Sequence, residues 1–592
     1  MNQKVFIEKS DEIMNNMSLD ELKKFLHNVA RKTPENKRGA FLQLLNDCYN
    51  QSEGKENNEK FQYKKLMSDE KVDKKLIEIS NTFERIENCE LCLSAQGYED
   101  YTYGYWESDW IWEYEDNEGI GRIIEGAVMF AHDCMNDFRY EEAVSVFNLI
   151  MNTTVFAAAD DSGDLIELSL EEIVEEGLVH INLTTVALDV LYSEYQVQPS
   201  KERAGSLYDY FNYSYFDEIH IEDIFSIGRE ELEDTDVFLQ SWIDYLMQQK
   251  GETAARLLKE GMLYYKGSEG LVEIAREAYI EHPSIYMAVI LEYEKVHDYE
   301  RMKEIGKEAL DNLDPELKLR GEIAIKTSQA SWCVNDFEYM RKCWYEAFYS
   351  NSTTANYLRI FANKEASREY KELAQKRIEE LIITDQHYNG KNSEIDKNTI
   401  SEIDYKLLHF FSGHFDKVKS WCMEQKSPLG WSGKFIDYGV HLMLLYLCSD
   451  TDPGKACKKI ADNFSTQVCL LTVKDLVFMT ENSVFETDVS MQRSGEVFLE
   501  VFNVWKSNYN MASDSVNSYV EWLESVISKR VDGIVGGKYR KSYYKAALLV
   551  AALGEVKESL GTKLAKNFII NEYLKKFPRH TSFRGELKEY IS

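Results

Sequence analysis

The chain has 592 residues, of which 44% are hydrophobic and 29% charged, with 75 aromatic rings, so it can bury a sizeable core and is not disordered overall. A formal charge of −34 argues against a general nucleic-acid binder, which needs clustered Lys and Arg, and against attraction to anionic membranes. The seven prolines amount to about 1%, against roughly 5% in an average protein. Long helices exclude proline because it lacks an N–H and clashes with the preceding turn, so the chain is expected to be all-α. No apolar run of 18 residues occurs, and no membrane span is expected. Met1 to Lys9 lacks the apolar stretch of a secretory signal, and the ten cysteines are single apart from Cys89 and Cys92. A reducing cytoplasm is the expected location.

In chain order, Ser18-Leu19-Asp20-Glu21 forms a capping box before Leu22, Phe25, Leu26 and Val29 at helical spacing. A second short helix spans Phe41 to Cys48, and residues 51–60 read as a solvated linker. A third helix is expected from about Val72 to Cys92, carrying Leu76, Ile79, Phe83 and Ile86. Residues 97–119 then concentrate Trp106, Trp110, Trp112 and five tyrosines, Tyr105 among them, among eight carboxylates. This segment reads as a loop folded over neighbouring helices, with a recognition surface of rigid aromatic anchors as the alternative.

A helical pair follows: Ile123, Ala127, Phe130 and Ala131 on one helix, a turn at Asn136-Asp137, then Tyr140, Ala143, Phe147 and Ile150. These residues resemble the tetratricopeptide repeat. Ala131 and Ala143 stand where that family's two helices come closest, and Tyr140 and Phe147 take its aromatic positions. Asp137 and Phe138 occupy the turn where a glycine is usual, and no proline closes the unit. Further on, Asp160 to Asp164 is a turn without the spacing of a calcium loop, and Ser169-Leu170-Glu171-Glu172 is a helix cap. The acidic run from Glu218 to Asp236 reads as a solvated face.

The clearest internal repeat runs from Ser284 to Tyr349. Asp298-Tyr299-Glu300 with Met302, Glu308 and Ala309 returns 38 residues later as Asp336-Phe337-Glu338 with Met340, Glu346 and Ala347. That period belongs to helical arrays that stack into solenoids. A more degenerate hairpin covers Asn356 to Ala362 and Ser367 to Ile383, followed by a polar loop at His387 to Lys397. Another hairpin turns at Gly413-His414-Phe415-Asp416, and Val440 to Cys448 is a buried helix. The chain closes with an apolar helix over Tyr543 to Leu553, a break at Gly554, and a helix from Lys557 to Lys576 stopped by Pro578. Residues 538–592 hold twelve Lys/Arg against five Glu, a local +7 on an acidic body.

This ending is similar to the helical region that accompanies bacterial SWIM-type zinc fingers. The similarity rests on Tyr573 to His580 and Phe583 to Lys588, with Pro428-Leu429-Gly430-Trp431 and Leu22 to Leu26. The finger itself, Cys-x-Cys followed by Cys-x-His, is missing, so its zinc and DNA-binding role is not carried over.

Other chemistry fails on spacing. Gly533 to Tyr539 is one residue short of a phosphate loop and reads as a flexible joint. Cys89 and Cys92 lack a second ligand pair, with His132 and Cys134 a remote complement, and read as core residues. No catalytic residue, metal or cofactor is assigned. The expected architecture is an α-solenoid of antiparallel helix pairs: a helical cap at 1–97, the aromatic loop at 98–118, tetratricopeptide-like repeats at 119–532 and a basic hairpin cap at 533–592. The expected function is a non-enzymatic scaffold that binds a protein or peptide along its concave face. Candidate contacts are Tyr105, Trp106, Trp110, Trp112, Arg540, Lys541, Arg579 and Arg584. The alternative is an acidic regulator or inhibitor of a nucleic-acid-processing complex, either as a nucleic-acid mimic or through the basic C-terminal end.

Overall fold

The structure is a computed structural model that describes residues 67–100, 109–159, 164–227, 232–384, 400–467, 494–509 and 511–591. Among them 72% are helical, in 23 α-helices, so the chain is mainly α. None of the described helices is long and apolar enough to cross a membrane. The helices read at residues 18–48, the linker at 51–60 and the loop at 387–397 lie outside the described residues. Two compact units meet at Ile285 and Tyr286.

In the first unit, α1 (Asp69–Glu87) buries Val72, Ile79, Phe83 and Ile86. It ends five residues earlier than its apolar pattern suggests, because Cys89 adopts φ +56° and Leu91 and Leu93 continue into a strand. β1 (Leu93–Asp100) pairs antiparallel with β2 (Asp109–Glu115), setting Gly97 opposite Trp112 and Glu99 opposite Trp110. Residues 97–100 and 109–115 of the aromatic segment are therefore strand rather than loop, and residues 101–108 lie outside the described residues. Trp110, Trp112 and Tyr114 alternate with Ile111, Glu113 and Glu115, which is the period of a strand.

α2 (Ile120–Asn136) and α3 (Tyr140–Asn152) form the pair read from sequence, with Ala131 and Ala143 fully buried between them. Asp116 caps α2 by accepting from Ile120 N and Gly121 N, both at 2.8 Å. Gly121 also leaves room for the carbonyl of Leu178, which would sit 2.0 Å from a Cβ there. β3 (Val155–Ala159) joins β1 in parallel and β4 (Leu165–Leu168) joins β3 antiparallel, giving the sheet order β2-β1-β3-β4. The sequence reading missed these two strands, which are short and carry only the brief alternation of Val155, Ala157 and Ala159.

The helix cap at Ser169 is present, as a full capping box: Glu172 N donates to Ser169 Oγ at 3.2 Å and Ser169 N to Glu172 Oε2 at 2.7 Å, opening α4 (Leu170–Glu175). These bonds to the ionised carboxylate hold Glu172 below its ordinary value. α5 (Leu183–Val197), α6 (Arg203–Tyr210), α7 (Thr235–Leu246) and α8 (Glu252–Ala278), the last broken at Gly267, complete this unit around Trp242 and Phe238.

α9 (Ser284–Lys295) crosses the boundary, and α10 (Tyr299–Asn312), α11 (Lys318–Cys333) and α12 (Phe337–Ser350) carry the internal repeat. The two copies share their caps and most of their buried positions. Asp298 and Asp336 both cap the next helix, accepting from Arg301 N and Tyr339 N at 3.2 Å. Met302, Ile305, Ala309 and Leu310 are buried, as are Met340, Cys343, Ala347 and Phe348 at the equivalent positions. The copies part at Gly306, where a Cβ would strike Thr327, against the fully buried Trp344.

A single backbone device makes four of the hairpin turns. Phe138, His297, Asn335 and Gly413 all have φ near +60° to +80°, two residues before the following helix. In each turn the next residue's N–H reaches back five residues: Arg139 to Cys134 O, Asp298 to Tyr293 O, Asp336 to Ser331 O and His414 to His409 O, at 2.8–3.0 Å. This is the Schellman pattern, which satisfies the orphan carbonyls of the first helix while turning the chain. Only one of the four positions is glycine; asparagine tolerates αL well, whereas Phe138 and His297 are held there by the surrounding bonds. Beside the first of them, buried Arg139 donates to Asp137, Glu142 and Met67 O, and pairs with Asp69. This ties α1 to the α2–α3 turn.

α13 (Thr354–Arg359) and α14 (Lys364–Ile383) follow, then α15 (Glu402–Phe411), α16 (Phe415–Glu424), α17 (Phe435–Leu447), α18 (Lys455–Gln467), α19 (Ser494–Lys506) and α20 (Ser513–Val531). At the α15–α16 turn, buried His409 lies with Nδ1 3.2 Å from His414 Nδ1 and its ring edge-on to Tyr405 and Trp421. Burial, then the charges of Lys417 and His414, push His409 from 6.5 down to about 4. A depressed histidine contributes its stability in full above the unfolded value and loses it as pH falls from about 6.5 towards 4. Urea midpoints at pH 8 and pH 5 are therefore expected to show a loss of about 2 kcal/mol that is absent in His409→Phe.

The sequence reading is corrected at the C-terminal end. α20 runs straight into a π-helical turn, Asp532–Gly536, in which Ile534 and Val535 are buried, so this glycine run is packed rather than a loose joint. α21 (Tyr543–Ser559) passes through Gly554, which does not break the helix. Gly554 is there for a close crossing, since a Cβ would lie 2.5 Å from Lys566 Cα. The next helix, α22 (Ala565–Lys576), starts only after Leu564 at φ +58°, and a further helix, α23 (Thr581–Lys588), follows Pro578.

Candidate functional site

Within the second unit, α13, α14 and the residues after α19 form an open cavity of about 400 Å³ lined by Tyr357, Phe361, Lys371, Glu372, Gln375, Lys376, Glu379, Asn508 and Tyr509. Its floor is fixed by packing. Tyr357 is buried against Phe348, Phe361 and Phe411, with centroids 5.1–5.9 Å apart. Tyr509 stacks towards Trp505 at 5.1 Å, and its ring lies against Gly413, where a Cβ would sit 3.2 Å from it. The glycine of that turn therefore answers both the left-handed backbone and the neighbouring ring.

Polar groups cross the cavity in fixed pairs. Tyr509 OH donates to Gln375 Oε1 at 3.2 Å, Lys371 Nζ donates to Asn508 Oδ1 at 3.2 Å, and Tyr509 O accepts from Tyr446 OH at 3.2 Å. Burial, then the neighbouring Tyr509 hydroxyl, raises Tyr357 well above its ordinary value, and burial raises Tyr509. Both phenols stay protonated at neutral pH and act as hydrogen-bonding groups. The lining contains no histidine or cysteine. The lining thus combines aromatic rings, amide groups and charges of both signs.

No family model matches the chain, and no curated protein is detectably similar to it.

The sequence candidates are distributed as follows. Tyr105 and Trp106 lie outside the described residues. Trp110 and Trp112 occupy β2 in the first unit, with Trp112 half-buried. The four basic candidates lie in the second unit. Arg540 and Lys541 are exposed on a 3-10 turn, Arg540–Ser542, directly before Tyr543. The Tyr543 ring packs on His580 and Phe583 at 6.4 and 5.7 Å, which carries Arg579 and Arg584 into the same neighbourhood. Arg584 is half-buried and donates to Leu574 O at 2.5 Å, a structural bond that joins α23 to α22. Lys576, nearby, pairs with Asp532 at 2.7 Å.

Cys89 and Cys92 are half-buried free thiols, Cys134 is a buried one, and His132 faces Asp189 at 2.8 Å. Among the described residues no group of three or more His, Cys, Asp or Glu is arranged to hold a metal. Sequence reasoning missed the Tyr357–Tyr509 cavity, because its parts are about 150 residues apart and each reads alone as an ordinary core aromatic.

Proposed function

We propose that this protein is a non-enzymatic helical-repeat scaffold in which the hairpins from α9 to α14 stack as an α-solenoid of antiparallel pairs and hold a protein or peptide partner. The observation that carries the reading is the equivalence of the two repeat copies, which share cap, turn and buried positions. Neighbouring helices are also bridged. Lys326 of α11 donates to both carboxylate oxygens of Glu294 in α9 at 2.7–2.8 Å, and Arg341 of α12 pairs with Glu365 of α14 at 2.9 Å. Such modules leave their non-core side chains free to vary as a binding surface. The cavity at Tyr357 and Tyr509 supplies a seat for one anchoring side chain, with Lys371 and Lys376 to orient it.

A second reading places the contact at the basic end around Arg540, Lys541 and Arg579, towards an acidic partner or a phosphate backbone. Affinity capture from the native cell distinguishes the two when run with wild type, Lys371→Glu/Lys376→Glu and Arg540→Glu/Lys541→Glu at low and high salt. A chain retained by wild type at both salts and reduced about tenfold by the α14 pair is the expected result. A partner lost with salt and with the Arg540/Lys541 pair belongs to the basic end. Recovery of the bait alone in every condition would defeat both readings.

A further inference from the structure

At the junction of α20 and α21, every residue from Gly536 to Lys541 is exposed, and this run stands on a packed base. Ile534 and Val535 are buried in the π-helical turn, and a Cβ at Gly533 would lie 2.9 Å from Pro428 Cγ. Lys538 at φ +60°, with Tyr539 N–H returning to Ile534 O at 3.0 Å, closes the turn in the Schellman manner. Lys545, in the first turn of α21, donates Nζ to Ser432 Oγ at 3.0 Å and so ties the helix to the loop after Pro428.

The surface displayed there carries one sign of charge. No Asp or Glu stands between Asp532 and Glu555, whereas Lys538, Arg540, Lys541 and Lys545 do, and Asp532 itself is paired with Lys576. Among the described residues, the side chains of Lys538, Arg540 and Lys541 make no hydrogen bond or ion pair. Tyr539 and Tyr544 are interspersed with these cations and remain 52% and 43% exposed. The Tyr539 ring folds back over Gly537, where a Cβ would come 2.5 Å from its Cε2. The backbone is already committed: the amides of Gly537, Lys538, Tyr539 and Arg540 donate to Gly533 O, Val535 O, Ile534 O and Lys538 O. These amides therefore form no cradle for a lone phosphate, and recognition falls to side chains spread along the segment.

We propose, resting on the basic-end reading, that residues 538–545 bind single-stranded nucleic acid. Lys538, Arg540 and Lys541 contact phosphates, and Tyr539 and Tyr544 stack on bases. Unpaired bases present flat faces to exposed rings, and every base has one, so the contact is independent of sequence. A duplex hides those faces and sets a higher charge density against an acidic body. The net −34 does not prevent the contact, because charges farther off than the Debye length of about 8 Å are screened at physiological salt. An acidic protein would also match the cations. A tight protein interface, however, centres on an anchor desolvated in a pocket, and this segment offers half-exposed rings among glycine, serine and charge.

The full chain is titrated into a fluorescein-labelled oligo(dT) of about 15 nucleotides, and anisotropy is read from about 50 to 200 mM salt. On logarithmic axes, affinity should fall against salt with a slope of about −2, from three phosphates at about 0.7 each. Tyr539→Ala/Tyr544→Ala should weaken binding about tenfold at an unchanged slope. Tyr539→Phe/Tyr544→Phe should restore it, because stacking needs the ring and not the hydroxyl. Arg540→Glu/Lys541→Glu should abolish it. Thermal midpoints of the tyrosine variants should match wild type, both rings being about half exposed. Poly-glutamate is the second probe. If it competes as well as unlabelled oligo(dT) and the tyrosine variants bind like wild type, the proposal is overturned and the basic-end reading survives for an acidic partner. Tighter binding to a duplex of the same length would also overturn it. Wild type that binds neither probe would end both.

Discussion

Trp505→Ala is expected to destabilise the second unit by about 3–5 kcal/mol, the range for emptying a large aromatic site in a packed core. Trp505 is fully buried and lies within 6 Å, centroid to centroid, of Phe410, Phe411, Tyr446, Phe502 and Tyr509, so one truncation opens a void shared by α15, α17 and α19. Its Nε1 also donates to Phe411 O at 2.9 Å near the end of α15, and that carbonyl would be left without this bond. Trp505→Phe restores most of the ring contact but not the donor, and should recover more than half of the loss. Native-state hydrogen exchange over α15, α17 and α19 would check this, because the loss should fall there and leave α2 and α3 of the first unit unchanged. Since the Tyr509 ring packs against Trp505, the same variant should also loosen the Tyr509 side of the cavity. An unaltered exchange pattern would mean that these rings are not one packed cluster.

Arg320→Met is expected to cost about 3–5 kcal/mol, the usual price of breaking a buried ion pair from one side. Arg320, at the start of α11, is buried and donates Nε and Nη2 to Leu310 O at the end of α10, at 3.1 and 3.0 Å. It reaches Ser350 Oγ at 2.7 Å and Glu346 Oε2 at 2.8 Å on α12. One guanidinium thus fastens the C-terminal ends of two successive repeat helices, using a planar fork that lysine does not have. Removing it strands a helix-end carbonyl and a half-buried carboxylate together. The double variant Arg320→Met/Glu346→Gln relieves the stranded charge, so it should be more stable than Arg320→Met alone. Denaturant midpoints of the four members of that cycle measure the coupling; simple additivity would show that the pair acts independently.

Much of the helical organisation was legible before any coordinates, and the reasons are local. The Asp-aromatic-Glu signature at 298 and 336 states a cap and a first turn, and the Met and Ala spacing states a buried face; both are periodic properties of a single helix. The box at Ser169 and Glu172 was readable for the same reason, since both its bonds close within four residues. Misreadings fell where partners are remote. Gly554 looks like a stop until Lys566 crosses it, and Gly533 to Gly537 looks loose until Ile534 and Val535 are seen buried. The segment containing 97–100 and 109–115 was read as a loop, and the strands at 155–159 and 165–168 went unread, because a short strand has no hydrogen bonds of its own; its partner supplies them.

By itself the sequence determined that this acidic chain is predominantly helical and that Asp298 and Asp336 open similarly capped helices, because helix bonds, caps and amphipathic faces are written within a few residues. Only the tertiary structure decided which side chains share a cavity and which of the basic residues are already bound. Those relations join residues tens to hundreds of positions apart, such as Lys371 with Asn508 or Glu555 with Cys457, and no local periodicity encodes such a meeting. They arise only when packing places one helix end against another.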